Sequence, residues 1–269
     1  MKTLEKIFSI KNDLSKTHKV INILGIVIKY KIKNSTVFQL SDLSSKKSSA
    51  SDFLKNNIME RMDANRRDLF DSTRCDFHLD RYRLACEYTE GKNVIDCASG
   101  TGYGADLISK LGRANKVYGV EINQDAINYA NSIYSSDSVN FSRGSILEIP
   151  FKDNSFDVFT SFETIEHIDN EDKQLYEIKR VLKNGGLYIM STPNDWDSDT
   201  INPHHVRKYT YESLKNTLEK HFEILKIYNQ NSGTPNRKEN NNMPRSIYKT
   251  TCENHMLAEC FIVVCKLNK

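Results

Sequence analysis

Val94-Ile95-Asp96-Cys97-Ala98-Ser99-Gly100-Thr101-Gly102-Tyr103-Gly104 is a short apolar run, an acid, and then a turn dense in glycine, followed by a helical segment from Ala105 to Leu111. Glycines at 100, 102 and 104 let the backbone turn sharply and leave no Cβ between main chain and ligand. A strand, a glycine turn and a helix in that order predict a cofactor site. Two cofactor classes use such a turn. Gly100-x-Gly102-x-x-Ala105 satisfies the dinucleotide fingerprint, in which a pyrophosphate sits on the helix N-terminus. Asp96 argues against it, because a carboxylate at the end of the strand repels a pyrophosphate but suits an ammonium group. About 20 residues on, Lys116-Val117-Tyr118-Gly119-Val120-Glu121 is a second strand ending in an acid, at the distance where a carboxylate meets both ribose hydroxyls. Both cofactor classes predict that acid, so Glu121 does not separate them.

Further along, Ile149-Pro150-Phe151-Lys152-Asp153-Asn154-Ser155-Phe156-Asp157 is a turn before the strand Val158-Phe159-Thr160-Ser161-Phe162, which ends in Glu163-Thr164-Ile165-Glu166-His167. This block and the glycine turn resemble the fourth-strand and first motifs of the class I S-adenosylmethionine-dependent methyltransferases, of the type 11-like kind found in bacterial surface-polysaccharide gene clusters. Residues 175–182, the turn Lys183-Asn184-Gly185-Gly186 and the strand Leu187 to Thr192 continue the resemblance. It covers about residues 75–267. It departs from the family pattern at Ala98, where the first glycine is usual, at Ser145, where many relatives carry an Asp, and at Asn184, where proline is more usual. The resemblance implies an α/β, Rossmann-like sheet of seven mostly parallel strands with an antiparallel last strand, here Cys260 to Leu267 after an Asn-rich loop (231–246).

It also implies S-adenosylmethionine as cofactor. Asp96 would hold its ammonium group, Glu121 its ribose, and Ala98, Gly100, Gly102 and Gly104 would form the turn beneath it. Ile122 beside the ribose acid, the backbone of Ser145 and Ile146 near the adenine, and Phe162 and Glu163 at the end of the fourth strand complete the set. An Arg-Tyr pair occurs in the helix before the first strand of similar enzymes, here in His78-Leu79-Asp80-Arg81-Tyr82-Arg83, with the ring near the methionine end. Tyr82 has core packing as its equal alternative.

The N-terminal part differs in character. Residues 1–50 hold ten lysines against Glu5, Asp13 and Asp42, a net of +7, which leaves −4 for the rest of a 269-residue chain of total charge +3. The expected organisation is a basic extension over 1–40, a Ser-rich linker over 41–51 and the methyltransferase domain over 52–269. Within the extension, residues 19–33 look like two short strands around Gly25. A small β-hairpin and a peripheral contact of its lysines with anionic lipid are two readings of the same stretch. The apolar run from Val20 to Ile28 is far short of the ~20 residues of a spanning helix, and no small-residue cleavage site follows it. A cytoplasmic protein, peripheral to a membrane at most, is the expectation. Six cysteines without a Cys-x-x-Cys pair read as buried free thiols. Leu54, Ile58, Met62 and Leu69 fall near helical spacing and predict a helix over the site, with Arg61, Arg66 and Arg67 on its solvated face.

Methyl transfer from a sulfonium is an in-line displacement with an activated donor, so the protein mainly supplies alignment. A hydroxyl acceptor additionally has to lose its proton to a base or a metal. Candidates near the ends of the fourth and fifth strands are Glu163, Glu166, His167, His204 and His205. His205, in a His-Val-Arg-x-Tyr run that resembles an element of polysaccharide-cluster methyltransferases, is the expected base, and His167 the second catalytic candidate with a structural task as its alternative. No tight His/Asp/Glu spacing appears in the sequence, so no metal is expected. The acceptor expected is a hydroxyl of a sugar or sugar-containing precursor in bacterial surface-glycan biosynthesis; a small-molecule or amino-sugar N-methyltransferase and a non-catalytic cofactor-binding subunit of a glycan-assembly complex are the rival readings. Nucleic acid is excluded as a partner by the acidic catalytic part and by the lack of an Asn/Asp-Pro-Pro-Tyr/Phe signature.

Overall fold

The computed structural model describes residues 8–12, 18–23, 26–31, 53–54, 62–194, 204–233 and 244–269. The chain divides into two compact units, Met1–Asp52 and Phe53–Lys269. In the first, β1 (Phe8–Asn12), β2 (His18–Ile23) and β3 (Ile26–Lys31) form an antiparallel sheet in which β2 pairs with both neighbours. The two strands expected around Gly25 are β2 and β3, and β1 adds a third. The expected linker over 41–51 lies outside the described residues.

In the second unit Phe53 and Leu54 are helical, and the next regular element among the described residues is α1 (Ser72–Cys86), capped by Asp71, whose side chain accepts from the Arg74 amide. The helix therefore starts six residues before His78. Ahead of it, the expected helix does not extend through Leu69: residues 62–70 form turns. Asp63 is the reason. Its carboxylate accepts from the Tyr129 and Tyr134 hydroxyls at 2.6 Å each and from the Asn65 amide at 2.9 Å, and side-chain bonds of this kind compete with a helical backbone. Arg66 and Arg67 pair with Asp68 and Asp76; Arg61 lies outside the described residues.

Then follow β4 (Asn93–Cys97), α2 (Tyr103–Lys110), β5 (Lys116–Glu121), α3 (Gln124–Ile133), β6 (Val139–Arg143), β7 (Phe156–Phe162), α4 (Glu171–Val181), β8 (Leu182–Pro193), α5 (Tyr211–Glu219), β9 (Glu223–Asn231), β10 (Ser246–Lys249) and β11 (Cys260–Lys266). The sheet order is β10-β9-β11-β8-β7-β4-β5-β6. Strands β4 to β8 are mutually parallel, and β11 runs antiparallel to both β8 and β9. The antiparallel last strand is as expected, but the sheet has eight strands, because β10 pairs antiparallel with the outer edge of β9. Four residues are too few to show a period in the sequence.

The core explains the order. Strand β11 is buried along Cys260–Cys265, as a strand between covered faces must be. Its alternate residues Phe261, Val263 and Cys265 join Phe159, Tyr188 and Met190 of the neighbouring strands under Leu175, Ile178 and Val181 of α4 and Leu214 and Leu218 of α5. Each large apolar side chain buried here contributes roughly 1.5–3 kcal/mol. Between β7 and β8 the pairing jumps from Phe156↔Leu182 to Val158↔Leu187, so Lys183 to Gly186 bulge out of the ladder, with Gly185 at φ 72°. Strand β4 lies between β5 and β7, where the winding direction of the sheet reverses. Ligands of open parallel sheets bind outside the strand ends at that reversal, which is where Cys97, Glu121 and Phe162 finish their strands.

Candidate functional site

Past Cys97 the backbone enters the left-handed region at Ala98 (φ 61°), Gly100 (φ 53°) and Gly102 (φ 88°). Glycine tolerates this freely, whereas an L side chain such as that of Ala98 loses about 1–2 kcal/mol there. The glycines of the turn have separate tasks. A Cβ on Gly100 would meet nothing, and Gly100 is among the residues that line the cavity. A Cβ on Gly102 would stand 2.7 Å from the Phe141 ring, and one on Gly104 1.9 Å from the Tyr82 ring. Gly102 and Gly104, expected beneath the cofactor, thus make room for protein side chains and are not among the residues that line the cavity.

The cavity, of about 600 Å³, is lined by Ala98, Ser99, Gly100 and Thr101 of the turn, by Glu121, and by Tyr82 and Phe162. Glu121 is fixed at both oxygens: it accepts from the Gly100 amide at 3.1 Å and the Asn123 amide at 3.0 Å. Ile122 beside it is 59% exposed and outside the lining. Ser145 and Ile146 are also outside it; the Ser145 hydroxyl accepts from the Leu147 amide, and Ile146 packs into the core.

Asp96, expected to receive an ammonium group, is fully buried and does not line the cavity. Its carboxylate is taken by the Thr160 hydroxyl at 2.7 Å and the Tyr82 hydroxyl at 3.3 Å. Burial pushes the Asp96 carboxyl up to about 7, against the lowering pull of Thr160 and Tyr82. Tyr82 itself lines the cavity and packs edge-on against Phe162, with ring centroids 4.8 Å apart. It is both core and wall.

The other end of the cavity is polar. Arg81 is 1% exposed; its Nε donates to the Gln230 side chain at 2.7 Å, and its guanidinium lies 4.5 Å from the Phe77 ring centre. Nη1 is 3.3 Å from Glu163 Oε1, yet neither Nη atom has a hydrogen-bond acceptor. Sequence reasoning quoted Arg81 in the Arg-Tyr pair and passed over it; a cation at that position in an otherwise packed helix was the available signal. Glu163 adopts φ 50° at the end of β7, and its carboxylate accepts from Ser191 Oγ at 2.8 Å. Glu166 and His167 lie on a single 3₁₀ turn, Ile165–His167. Glu166 is 1% exposed, and burial, helped by the nearby Glu163 charge, pushes its carboxyl well above the usual range.

The structure brings the two predicted catalytic residues together: the rings of His167 and His205 are 4.8 Å apart at 79°. His167 Nδ1 lies 2.8 Å from the His204 carbonyl. A carbonyl only accepts, so Nδ1 carries the proton and Nε2 of the neutral ring is left with the lone pair. Contrary to the sequence expectation, one ligand atom each from Glu166, His167 and His205 lies within 4.8 Å of the others. Sequence spacing hid the group because His205 stands 38 positions beyond His167.

A glycine turn after the first strand of a parallel sheet, an acid at the end of the second and a cleft across their ends define an α/β domain built around a nucleoside-bearing cofactor. The model of the family described as "Methyltransferase domain" matches residues 88–249, and the chain belongs to that family. It is 32% identical over 143 residues to a "Probable S-adenosylmethionine-dependent methyltransferase" of Mycolicibacterium smegmatis, a match covering 51% of this chain and 54% of that protein. To the fatty-acid O-methyltransferase of the same organism it is 30% identical over 100 residues, covering 37% and 36%. The chain thus spans about half or less of the length of these curated relatives. Among solved structures it shares its fold with a Thermotoga maritima S-adenosylmethionine-dependent methyltransferase titled a "possible histamine N-methyltransferase", at TM-score 0.56 and 20% identity over 73% of this chain and 91% of that one. S-adenosylmethionine is therefore the cofactor. The residues fit it: a turn that leaves open space beside Gly100, a carboxylate already fixed at Glu121 and a buried guanidinium at Arg81 whose two Nη atoms make no hydrogen bond.

Two outcomes follow from this geometry. Glu121→Ala removes the carboxylate expected to accept from the ribose hydroxyls, and hydrogen bonds to a charged group are worth about 1.5–3 kcal/mol. Calorimetry is expected to show S-adenosylmethionine binding weakened at least tenfold; unchanged affinity would place the ribose elsewhere. The second outcome concerns Asp96. Because its folded-state value lies above that of the unfolded chain, the folded protein holds a proton that the unfolded one has released. Stability should then fall as pH rises from about 4 to about 7, by up to about 1.4 kcal/mol per pH unit from this one group. Urea melts of Asp96→Asn are expected to show a shallower fall, the remainder coming from Glu166. An equally steep fall in the variant would locate the proton elsewhere.

Proposed function

We propose that the protein is an O-methyltransferase, carrying a methyl group from S-adenosylmethionine to a hydroxyl of a sugar or sugar-containing precursor, of the kind assembled by bacterial surface-polysaccharide gene clusters. The observation that carries this is the polarity of the cavity beyond the cofactor turn: Arg74, His78, Arg81, Glu163, Glu166 and His205 are among its walls. An acyl chain needs apolar walls, whereas a polyhydroxylated ring needs convergent donors and acceptors. The relative that methylates fatty acids therefore does not set the acceptor here. An amine acceptor is disfavoured for a different reason. Beside Glu163 and Glu166 it would be held as an ammonium ion, which has no lone pair to attack with.

S-adenosylmethionine supplies an activated methyl group on a sulfonium. What the chain supplies is position and a route for the hydroxyl proton. Glu121 would hold the ribose, and Arg81 would hold the methionine carboxylate through its Nη atoms, which make no hydrogen bond within the protein. Tyr82 and Phe162 wall the region between the turn and the histidines. The proton leaves toward the His167–His205 pair, with His205 as the expected base; the bond from His167 Nδ1 to the His204 carbonyl fixes the segment on which His205 sits.

Among the described residues no helix is long and apolar enough to cross a membrane. The basic first 40 residues support a separate, peripheral contact of this cytoplasmic enzyme with anionic lipid.

His205→Ala is expected to leave cofactor affinity unchanged and to lower turnover by about 10²–10⁴-fold, the usual worth of assisted proton removal. The assay is methylation of a panel of nucleotide-sugars, read by mass spectrometry. Near-full turnover in the variant would remove His205 from the mechanism, and preferential methylation of amines would overturn the hydroxyl reading. For the extension, deleting residues 1–50 is expected to preserve turnover while abolishing salt-sensitive co-sedimentation with anionic vesicles; equal sedimentation of both forms would refute the lipid contact.

A further inference from the structure

We infer that Glu166, His167 and His205 form a binding site for one divalent first-row metal cation at the acceptor end of the cavity. Their ligand atoms lie within 4.8 Å of one another, a little beyond the ~4.4 Å that can separate two donors of one ion held at about 2.2 Å, so that a small side-chain rotation brings them onto a shared ion. Nearness alone would be a weak argument. The stronger one is how each group is held.

Glu166 is almost completely buried. One carboxylate oxygen, Oε2, accepts from the Thr192 hydroxyl at 3.1 Å, while the other, Oε1, is buried without any hydrogen-bond partner. A buried acceptor left unmade costs about 1–3 kcal/mol, and Glu166 is among the residues that line the cavity. His167 repeats the pattern. Its Nδ1 is spent on the His204 carbonyl, which turns the Nε2 lone pair outward. One side of each ligand is tied to the protein and the other presented, as second-shell contacts do for metal-binding imidazoles and carboxylates. His205 completes the group from a different segment, its ring set edge-on to that of His167.

Two imidazoles and a carboxylate suit the manganese-to-zinc part of the first row better than magnesium or calcium, which favour all-oxygen sets. Three protein donors leave further positions open toward the cavity, as in metal sites that receive a substrate oxygen. The inference rests on the proposed hydroxyl methylation only for what the cation would do there, which is to make that hydroxyl more acidic, with His205 then serving as a ligand in place of its role as base; binding itself does not depend on the acceptor.

The test uses the full chain saturated with S-adenosylhomocysteine and stripped of metal, titrated with Mn²⁺ while the six-line spectrum of the free ion is followed by electron paramagnetic resonance. One equivalent is expected to bind, with affinity at least tenfold weaker in His205→Ala and in Glu166→Gln, and unchanged in His221→Ala as a control on a different surface. His205 is only half-buried, so its variant stays informative if Glu166→Gln folds poorly. Competition by Co²⁺ and Zn²⁺ is expected, and little by Mg²⁺. Absence of binding, or binding equal in wild type and His205→Ala, overturns the site. Methylation of a sugar hydroxyl by metal-free protein at full rate would overturn the cation's part and leave the O-methyltransferase reading standing; failure to methylate any hydroxyl with Mn²⁺ bound would do the reverse.

Discussion

One carboxylate ties together the two strand ends that make the cleft. Glu121, at the end of β5, accepts from the amide of Gly100, in the turn that follows β4. That amide points at Glu121 only because the turn passes through three left-handed residues, and the turn exists only because a helix must begin directly after a central parallel strand. The same constraint fixes what surrounds it. Phe141 of β6 fills the space beside Gly102 and Gly119, and Thr101 donates to the carbonyl of Met62, which brings the segment ahead of α1 onto the turn. Sheet order, turn and cleft are therefore consequences of a single geometric demand at the end of β4.

Much of this could be read in the sequence, and the reasons are physical. The central parallel strands β4, β5 and β7 are largely apolar runs that end near acids and glycines, and the helices between the strands have clear polar punctuation, such as Asn123, Asn170 and Thr210 at their N-caps. Local chemistry of that kind is written in adjacent residues. What was not legible depends on distant ones. The helix expected to run past Met62 gives way to turns because Tyr129 and Tyr134, more than 60 positions later, capture Asp63. Strand β10 exists because β9 offers it an edge, and four residues cannot announce that.

The site divides in the same way. The glycine turn and Glu121 were readable because a backbone requirement selects the residue type at a fixed spacing. Asp96 was readable as an acid but not as one sealed beneath Tyr82, since the seal involves a helix that precedes it by a turn and a strand. Glu163 and Glu166 were seen as isolated candidates. Their meeting with Arg81, and the meeting of Glu166 and His167 with His205, follow from β7, the 3₁₀ turn after it and the segment before α5 converging on one wall. Three-dimensional convergence of well-separated residues leaves no periodic trace.

The packing of Tyr82 into the space beside Gly104 has an evolutionary corollary. The ring stands where a Cβ on residue 104 would be, and its hydroxyl reaches the buried Asp96. An aromatic residue at 82, a glycine at 104 and an acid at 96 form one mechanical unit, although 22 positions separate its ends. Lineages that exchange the tyrosine for a smaller residue free position 104 to carry a side chain and leave the acid open to the cleft. In an alignment of relatives these three columns are expected to change together, as a joint substitution, and not one at a time.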